Sequence, residues 1–250
     1  LTGGDNVSIT AGGAVAVDDI TATAGDVNVT TTGAFTNAAL VQALAGNVNI
    51  SADTGITTTG NVDANDALTF VSAGTIQTIG TIEGATVNME STGADLNIDN
   101  TVNATTGNAT LIADTDINAA NTITAVDVAT LTAGNDITLA DEVTADTITL
   151  TSLGNMTVEE LDAATTITAS SGGTFQNTAA VDADAGAVTI QSVGTTTTDG
   201  TVAGNSVNIE STTADLDINN TVDSDVAGVT LIAATNVDTA NTVTAATDLT

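Results

Sequence analysis

The 250-residue chain contains no lysine, arginine, histidine, cysteine, proline, tryptophan or tyrosine. Without cysteine it has neither a disulfide framework nor thiol chemistry. Without histidine, lysine or tyrosine, a serine or threonine nucleophile lacks the base that usually activates it. Pairs of carboxylates can cleave glycosides, but such enzymes usually hold the sugar with cationic and aromatic groups. We therefore expect no enzyme activity in this segment and assign no catalytic or cofactor-binding residue.

The charge balance excludes further classes of partner. The chain has 31 acidic residues and no basic side chain, which gives a formal net charge of -31. Nucleic-acid phosphates are disfavoured as partners because the chain offers no cation to release their counterions. Anionic membrane surfaces are disfavoured for the same reason. We expect no membrane insertion either, because no apolar run is long enough to span a bilayer.

A regular triplet recurs twelve times, about 20 residues apart, and reads apolar, small polar, apolar. Its middle residue is always serine, asparagine or threonine. The first residues of these triplets, which we call the first column, are Val7, Val27, Val48, Leu68, Val87, Ala109, Ala129, Ile148, Ile167, Val188, Val207 and Val229. A fixed period of this size with alternating apolar residues is typical of a stacked-coil solenoid.

Two more columns share the period. The second reads aliphatic, variable, small and begins at Ile20, Val41, Val62, Ile82, Val102, Ile123, Val143, Leu161, Val181, Val202, Val222 and Val243. The third is looser, with apolar markers at Val15, Phe35, Ile56, Ile76, Leu96, Ile117, Ile137, Met156, Phe175, Leu216 and Val237, and only Thr195–Thr198 in coil ten. Alternation places the first and third residues of a triplet inward and the middle one outward.

These patterns predict an all-β parallel β-solenoid of about 12 coils, with about 20 residues and three short strands in each coil. We expect a single solenoid segment over residues 1–250, and we expect it to be an excerpt of a longer exported polypeptide. The core residues that we predict with the greatest weight are Val48, Ile50, Val62, Val87, Val102, Val188, Ile190, Val207 and Val222.

The sequence also contains a longer repeat that spans several coils. The sequence VNMESTGADLNIDNTV at Val87–Val102 returns as VNIESTTADLDINNTV at Val207–Val222, 120 residues later. The segment Gly33–Asn37 has a second echo in Gly173–Asn177, 140 residues later. Duplication of blocks of about 120–140 residues is the simplest account, and it suits a protein selected for length.

Acidic residues in register raise the possibility of a calcium site. Carboxylates stacked about 4.8 Å apart repel each other, and a divalent cation relieves the repulsion. The weak Ca²⁺ candidates are Asp162, Asp182, Asp184, Asp223 and Asp225. Neither the calcium nonapeptide of β-rolls nor the EF-hand spacing recurs here, and a solvated acidic face is the simpler interpretation. We therefore expect no cofactor and no caged metal, and weak calcium binding stays open.

Threonine-rich coils raise a second possibility, ice binding. A flat array needs Thr-x-Thr at the same strand position in successive coils. The outward positions Ser8, Asn28, Asn49 and Thr69 mix three residue types, and the next outward column includes Val71, Glu90 and Ile112. The pattern in these coils therefore favours ordinary outward strand residues, and ice binding is a lesser alternative.

The repeat Gly46-Asn47-Val48-Asn49-Ile50, continued to Gly60-Asn61-Val62-Asp63-Ala64, resembles the repeats of filamentous-haemagglutinin-like bacterial exoproteins. The resemblance covers essentially the whole chain. It implies a right-handed parallel β-helix, export to the bacterial cell surface or the extracellular space, and a role as a stalk or fibre.

We therefore interpret the chain as a rigid spacer in a large surface adhesin. The main alternative is a subunit of a self-assembling extracellular filament or sheath, and an acidic Ca²⁺-binding matrix protein is a lesser one. The expected partners are further coils of the same chain, or like chains end to end. A cell-surface or host ligand would bind through a tip outside this segment.

Overall fold

The computed structural model describes all 250 residues and contains strands and turns but no helix. The chain divides into two compact units, which we call unit 1 (Leu1–Asp127) and unit 2 (Val128–Thr250). Each unit is a parallel β-solenoid, and the strand ladders pair residues about 20 positions apart. The predicted fold class is confirmed.

Unit 1 has three parallel ladders, one for each predicted column. The first column forms β2 (Val7–Ala11), β5 (Val27–Thr31), β8 (Val48–Ala52), β11 (Ala67–Ser72), β14 (Thr86–Ser91) and β17 (Ala109–Ala113). The second forms β1 (Thr2–Gly3), β4 (Ile20–Ala22), β7 (Val41–Ala43), β10 (Val62–Ala64), β13 (Ile82–Gly84), β16 (Val102–Ala104) and β19 (Ile123–Ala125). The third forms β3 (Val15–Val17), β6 (Ala34–Asn37), β9 (Gly55–Thr58), β12 (Ile76–Thr78), β15 (Leu96–Ile98) and β18 (Ile117–Ala119).

Unit 2 keeps the third column separate, as β21 (Ile137–Leu139), β23 (Met156–Val158), β25 (Phe175–Asn177), β27 (Thr196–Thr198), β29 (Leu216–Ile218) and β32 (Val237–Thr239). The other two columns lie in one sheet, made of β20 (Val128–Ala133), β22 (Val143–Ser152), β24 (Leu161–Ser171), β26 (Val181–Ser192), β28 (Val202–Ser211), β30 (Val222–Ser224), β31 (Val229–Ala233) and β33 (Val243–Ala245). In β22, β24, β26 and β28 the second and first columns are joined in one continuous strand. The two short strands expected for the second and first columns are therefore fused into one in those strands.

The registers of paired strands keep inward residues over inward residues. Val48 and Ile50 pair with Leu68 and Phe70, and Val188 and Ile190 pair with Val207 and Ile209. Irregularities in register fall at the corners of the long strands, such as between Ala145 and Thr147. Extra residues are thus absorbed where the chain bends, and the aliphatic columns are undisturbed.

The interior of each unit is narrow and aliphatic. All nine emphasised core residues are buried, with at most 2% of any side chain exposed: Val48, Ile50, Val62, Val87, Val102, Val188, Ile190, Val207 and Val222. The three phenylalanines, Phe35, Phe70 and Phe175, are buried as well. Coil ten places Thr196 where other coils have an apolar residue, and the hydroxyls of Thr196 and Ser192 hydrogen-bond at 2.7 Å. This internal bond satisfies the hydroxyl of Thr196, whereas the hydroxyl of Thr198 on the same strand is buried without a partner.

The position two residues beyond the first-column triplet is serine or threonine in seven of the twelve coils and alanine in the other five. In unit 2 the serines at this position are buried and mutually registered: Ser152, Ser171, Ser192 and Ser211. The Ser171 hydroxyl lies 2.8 Å from the carbonyl oxygen of Gly154 and 2.8 Å from that of Thr174. The hydroxyls of these serines bond to backbone carbonyls at the corner that follows the strand. The sequence columns did not reveal this role.

Candidate functional site: the outward faces of the coils

The second column of unit 2 stacks acidic residues on its outer face. Asp162 on β24 is in register with Asp182 on β26, and Thr144 precedes them on β22. On the next coil Ala203 takes this position, and Asp223 follows one coil further. The structure therefore brings Asp162 and Asp182 together and separates Asp223 from them.

Burial and neighbouring like charges raise the pKa of two of these residues. Burial raises the pKa of Asp162, and the carboxylates of Asp184 and Glu142 raise it further. Burial also raises the pKa of Asp182, with added contributions from Asp184, Asp162 and Asp225. A raised pKa means that the charged form is disfavoured here. The acidic cluster of Glu142, Asp162, Asp182, Asp184 and Asp225 is thus a region of electrostatic repulsion.

At the same outer position of unit 1, side-chain amides accompany the acidic residues. Its registered residues are Gln42, Asp63, Glu83 and Asn103. The Gln42 amide donates to Asp63 at 2.8 Å, and the Asn103 amide donates to Glu83 at 3.3 Å. An amide on each side therefore supports the two stacked acids. The acidic cluster of unit 2 has no such amide in its column.

Bonds between an amide and a carboxylate recur elsewhere on the two units. Gln77 donates to Asp99 at 2.7 Å, and Gln191 donates to Glu210 at 2.9 Å. Asp199 accepts from both Asn219 and Gln176, and these bonds, that from Asn219 first, lower its pKa. Side-chain amides thus take the place that lysine and arginine hold in other proteins. The sequence signal was present, because an amide lies about one period from each acid.

The predicted calcium candidates do not converge into a metal centre. No group of three or more carboxylates is arranged so that it could hold a metal ion. Asp184 contributes to the raised pKa values of Asp162 and Asp182, and Asp225 contributes to that of Asp182. Weak cation attraction by the acidic cluster stays a prediction.

A second face in unit 2 is free of charge. The outward residues of β20, β22 and β24 are in register: Thr130 with Thr149 and Thr168, Thr132 with Thr151 and Ser170, and Thr147 with Thr166. We call these eight residues the Thr face. The residues between them point inward and are buried, including Ile148, Leu150 and Ile167.

The corresponding outward face of unit 1 is chemically mixed. Asn28, Asn49 and Thr69 are in register on successive coils. The Asn49 amide donates to the Asn28 side-chain oxygen at 3.0 Å, so the amides bond to each other. A shallow groove of about 230 Å³ lies over these residues and is lined also by Thr30 and Ser51. Neither face brings together a nucleophile and a base.

The last coil of unit 2 presents an apolar surface. Val237 is 43% exposed and Leu249 is 59% exposed. Together with Leu231 and Val243 they border an open depression of about 410 Å³. The residues at the position of Val237 one and two coils earlier, Leu216 and Thr196, are fully buried. A covering coil therefore makes the difference between exposure and burial at this position.

Comparison with known protein families, with curated proteins and with solved structures finds no match for this chain. The likeness to filamentous-haemagglutinin repeats therefore remains a prediction from the repeat pattern. The structure has no helix that is long and apolar enough to cross a membrane.

Proposed function

We propose that this chain is a structural stalk or fibre segment of a large bacterial surface adhesin and acts as a rigid spacer. The observation that carries the proposal is the unbroken pairing of coils within each unit. Within each unit the coils are joined by parallel ladders in which inward residues, most of them aliphatic, lie over inward residues. Such a body transmits force along its ladders and displays no deep site of its own.

The energetics support a mechanical role. Fully burying a valine, leucine or isoleucine stabilises a protein by about 1.5–3 kcal/mol, and each coil contributes several such residues. Backbone hydrogen bonds run from coil to coil, as from Val27 N–H to the Asn47 carbonyl at 2.9 Å and from Val62 N–H to the Thr81 carbonyl at 2.9 Å. Stability then grows with the number of coils. The high net charge keeps neighbouring bodies apart and in solution.

A self-assembling extracellular filament or sheath is the second candidate. Parallel ladders of the kind that join coils within each unit can also join strands of two like chains. Both candidates place the protein outside the cell, at the bacterial surface.

Small-angle scattering and electron microscopy of the 250-residue chain test the spacer proposal. We expect stiff particles of one uniform length, and we expect that length not to depend on protein concentration. Long filaments that form as concentration rises, and that are lost in Val237→Asp, would favour the second candidate. Flexible particles with a broad distribution of lengths would contradict both.

A further inference from the structure

The Thr face of unit 2 is a two-dimensional grid of hydroxyl and methyl groups. Thr130, Thr149 and Thr168 follow one another on three neighbouring coils, and Thr189 extends the row to a fourth. Neighbouring strands lie about 4.8 Å apart, and alternate residues along a strand lie about 6.6 Å apart. The register therefore fixes both repeats of the grid.

The grid is rigid, and the three hydroxyls of its central row are free. Threonine is branched at Cβ, which restricts its χ1 angle, and the strands beneath are held by buried residues such as Ile148 and Leu150. Within the protein, Thr147 bonds to Thr165 at 2.9 Å, whereas Thr130, Thr149 and Thr168 make no side-chain hydrogen bond. A ligand that bonds to these three hydroxyls displaces no internal partner.

The spacing of the grid fits ordered water. In ice, each oxygen lies about 2.75 Å from its hydrogen-bonded neighbours in tetrahedral directions. Two waters that share a neighbour are then about 4.5 Å apart, close to the strand spacing. The same bond length gives a repeat of about 7 Å along the hexagonal axis, close to the spacing of alternate residues. We propose that the Thr face of unit 2 binds an ice surface.

Charge and composition favour ice over other occupants. None of the eight residues of the Thr face is ionisable, although the chain carries a net charge of -31. Binding to a neutral crystal surface does not require the carboxylates that lie elsewhere on the chain. An ion is disfavoured because the Thr face has no charged group to attract it. A crystalline polysaccharide is disfavoured because all three phenylalanines are buried and no aromatic ring is left to stack on sugar. A second copy of the chain is disfavoured because its large negative charge repels the first copy.

The matched face of unit 1 provides an internal control. Thr69 holds the same outward triplet position as Thr149, but its registered neighbours are Asn49 and Asn88. Asn49 is already bonded to Asn28. The Thr face therefore has no equivalent on this face of unit 1. A substitution at Thr69 changes the surface of unit 1 and leaves the Thr face of unit 2 unchanged.

Thermal hysteresis and partition into a growing ice front test the proposal on the full 250-residue chain. We expect the wild-type chain to enter ice and to lower the freezing point below the melting point. Thr149→Tyr should remove most of this effect, and Thr69→Tyr should leave it unchanged. Circular dichroism checks that both variants keep the wild-type strand signal. If Thr149→Tyr does not fold, Thr168→Tyr, at the exposed member of the grid, takes its place.

Three results would overturn the proposal. The first is exclusion of the wild-type chain from ice with no thermal hysteresis. The second is an equal loss in Thr69→Tyr and Thr149→Tyr, which would show that the effect does not depend on the grid. The third is a dimer in sedimentation that Thr149→Tyr dissociates, without any ice binding. That result would assign the Thr face to self-association.

Discussion

Asp162 and Asp182 lie side by side in register on adjacent coils, and no side-chain amide bonds to either carboxylate. At the same outward position in unit 1, the Gln42 amide donates to Asp63 at 2.8 Å. The two units thus differ at one surface position: in unit 1 an amide flanks the stacked acids on each side, and in unit 2 the stacked acids have no amide partner. This contrast makes the electrostatic consequences testable by exchanging single residues.

Asp162→Gln should stabilise unit 2. The change removes one of two like charges and allows an amide to donate to Asp182, as Gln42 donates to Asp63. Cross-strand pairs of this kind are worth about 0.2–1 kcal/mol, so we expect the free energy of unfolding to rise by about 0.5 kcal/mol in urea melts. Gln42→Asp is the reciprocal control and should lower stability by a similar amount. A rise in both variants would contradict the assignment.

Stability should rise on mild acidification. The raised pKa values of Asp162 and Asp182 mean that the folded state binds protons more readily than the unfolded chain. Their unfavourable effect is therefore fully present at neutral pH, declines as pH falls through the raised pKa values, and is gone below the usual value of 3.8. Thermal melts between pH 7 and about pH 4 should show a rising midpoint, and Asp162→Asn with Asp182→Asn should flatten the rise.

Stronger acid should act in the opposite direction. Hydrogen bonds from Asn219 and Gln176 lower the pKa of Asp199, and bonds from Thr235 and Asn236 help to lower the pKa of Asp215. Their stabilising effect is present above 3.8 and is lost as pH falls from there through the lowered pKa values. The melting midpoint should therefore pass through a maximum and decline below about pH 4. Asn219→Ala should reduce the size of that decline; an unchanged decline would argue against a contribution from Asp199.

Substitutions in one triplet should separate inside from outside. Val48 and Ile50 are buried, and an uncompensated carboxylate at either position costs several kcal/mol, at least about 3. Asn49 lies between them and faces outward, where its bond to Asn28 is worth about 1 kcal/mol or less. Val48→Asp should therefore lower the unfolding midpoint strongly, and Asn49→Thr only slightly. Equal losses in the two variants would refute the assignment of faces.

Gly60 should not accept a side chain. A Cβ atom at Gly60 would lie 1.4 Å from the carbonyl oxygen of Ala39 on the preceding coil. At Gly12 nothing lies within 4 Å of such an atom. Gly60→Ala should therefore force the corner apart and destabilise unit 1 by about 1–3 kcal/mol or more, measured by urea unfolding. Gly12→Ala, the matched control, should be close to neutral, and a comparable loss there would indicate a general effect of removing glycine.

Buried hydroxyls should differ according to whether they are bonded. The Thr58 hydroxyl is buried without a hydrogen-bond partner, and Ser171 is bonded to the carbonyls of Gly154 and Thr174. Thr58→Val keeps the shape and removes an unpaired polar atom, so it should raise stability by about 1 kcal/mol. Ser171→Ala should lower it by about 1–2 kcal/mol. Calorimetry of the two variants checks the signs; a loss in Thr58→Val would show that its hydroxyl is satisfied.

Periodicity alone was enough to predict the coil. The triplet beginning at Val48 recurs at a fixed interval, and alternation places its outer members inward because strand side chains point to opposite faces in turn. The buried residues of both units follow that rule. The rule also holds in coil ten, where Thr196 lies at an inward position in register with Phe175 although its side chain is polar.

The corners were not predictable in the same way. Five to seven residues separate the start of a second-column triplet from that of the next first-column triplet in both units, yet in unit 2 strands such as β22 run through the bend and in unit 1 they stop. Spacing does not encode whether the backbone turns sharply, because local contacts between stacked corners decide it. The interior serines were missed for a related reason: Ser171 is recognisable only by the carbonyls that it meets.

The amino-acid sequence by itself determined that this protein is a parallel β-solenoid, since a hydrophobic period of 20 residues can be buried only by stacking each coil on the next. It also determined the absence of basic partners for 31 acids. Only the tertiary structure decided which outward residues become neighbours. Register between residues about 20 positions apart set Asp162 beside Asp182 and Thr149 beside Thr168, and proximity of this kind gives a surface its chemistry.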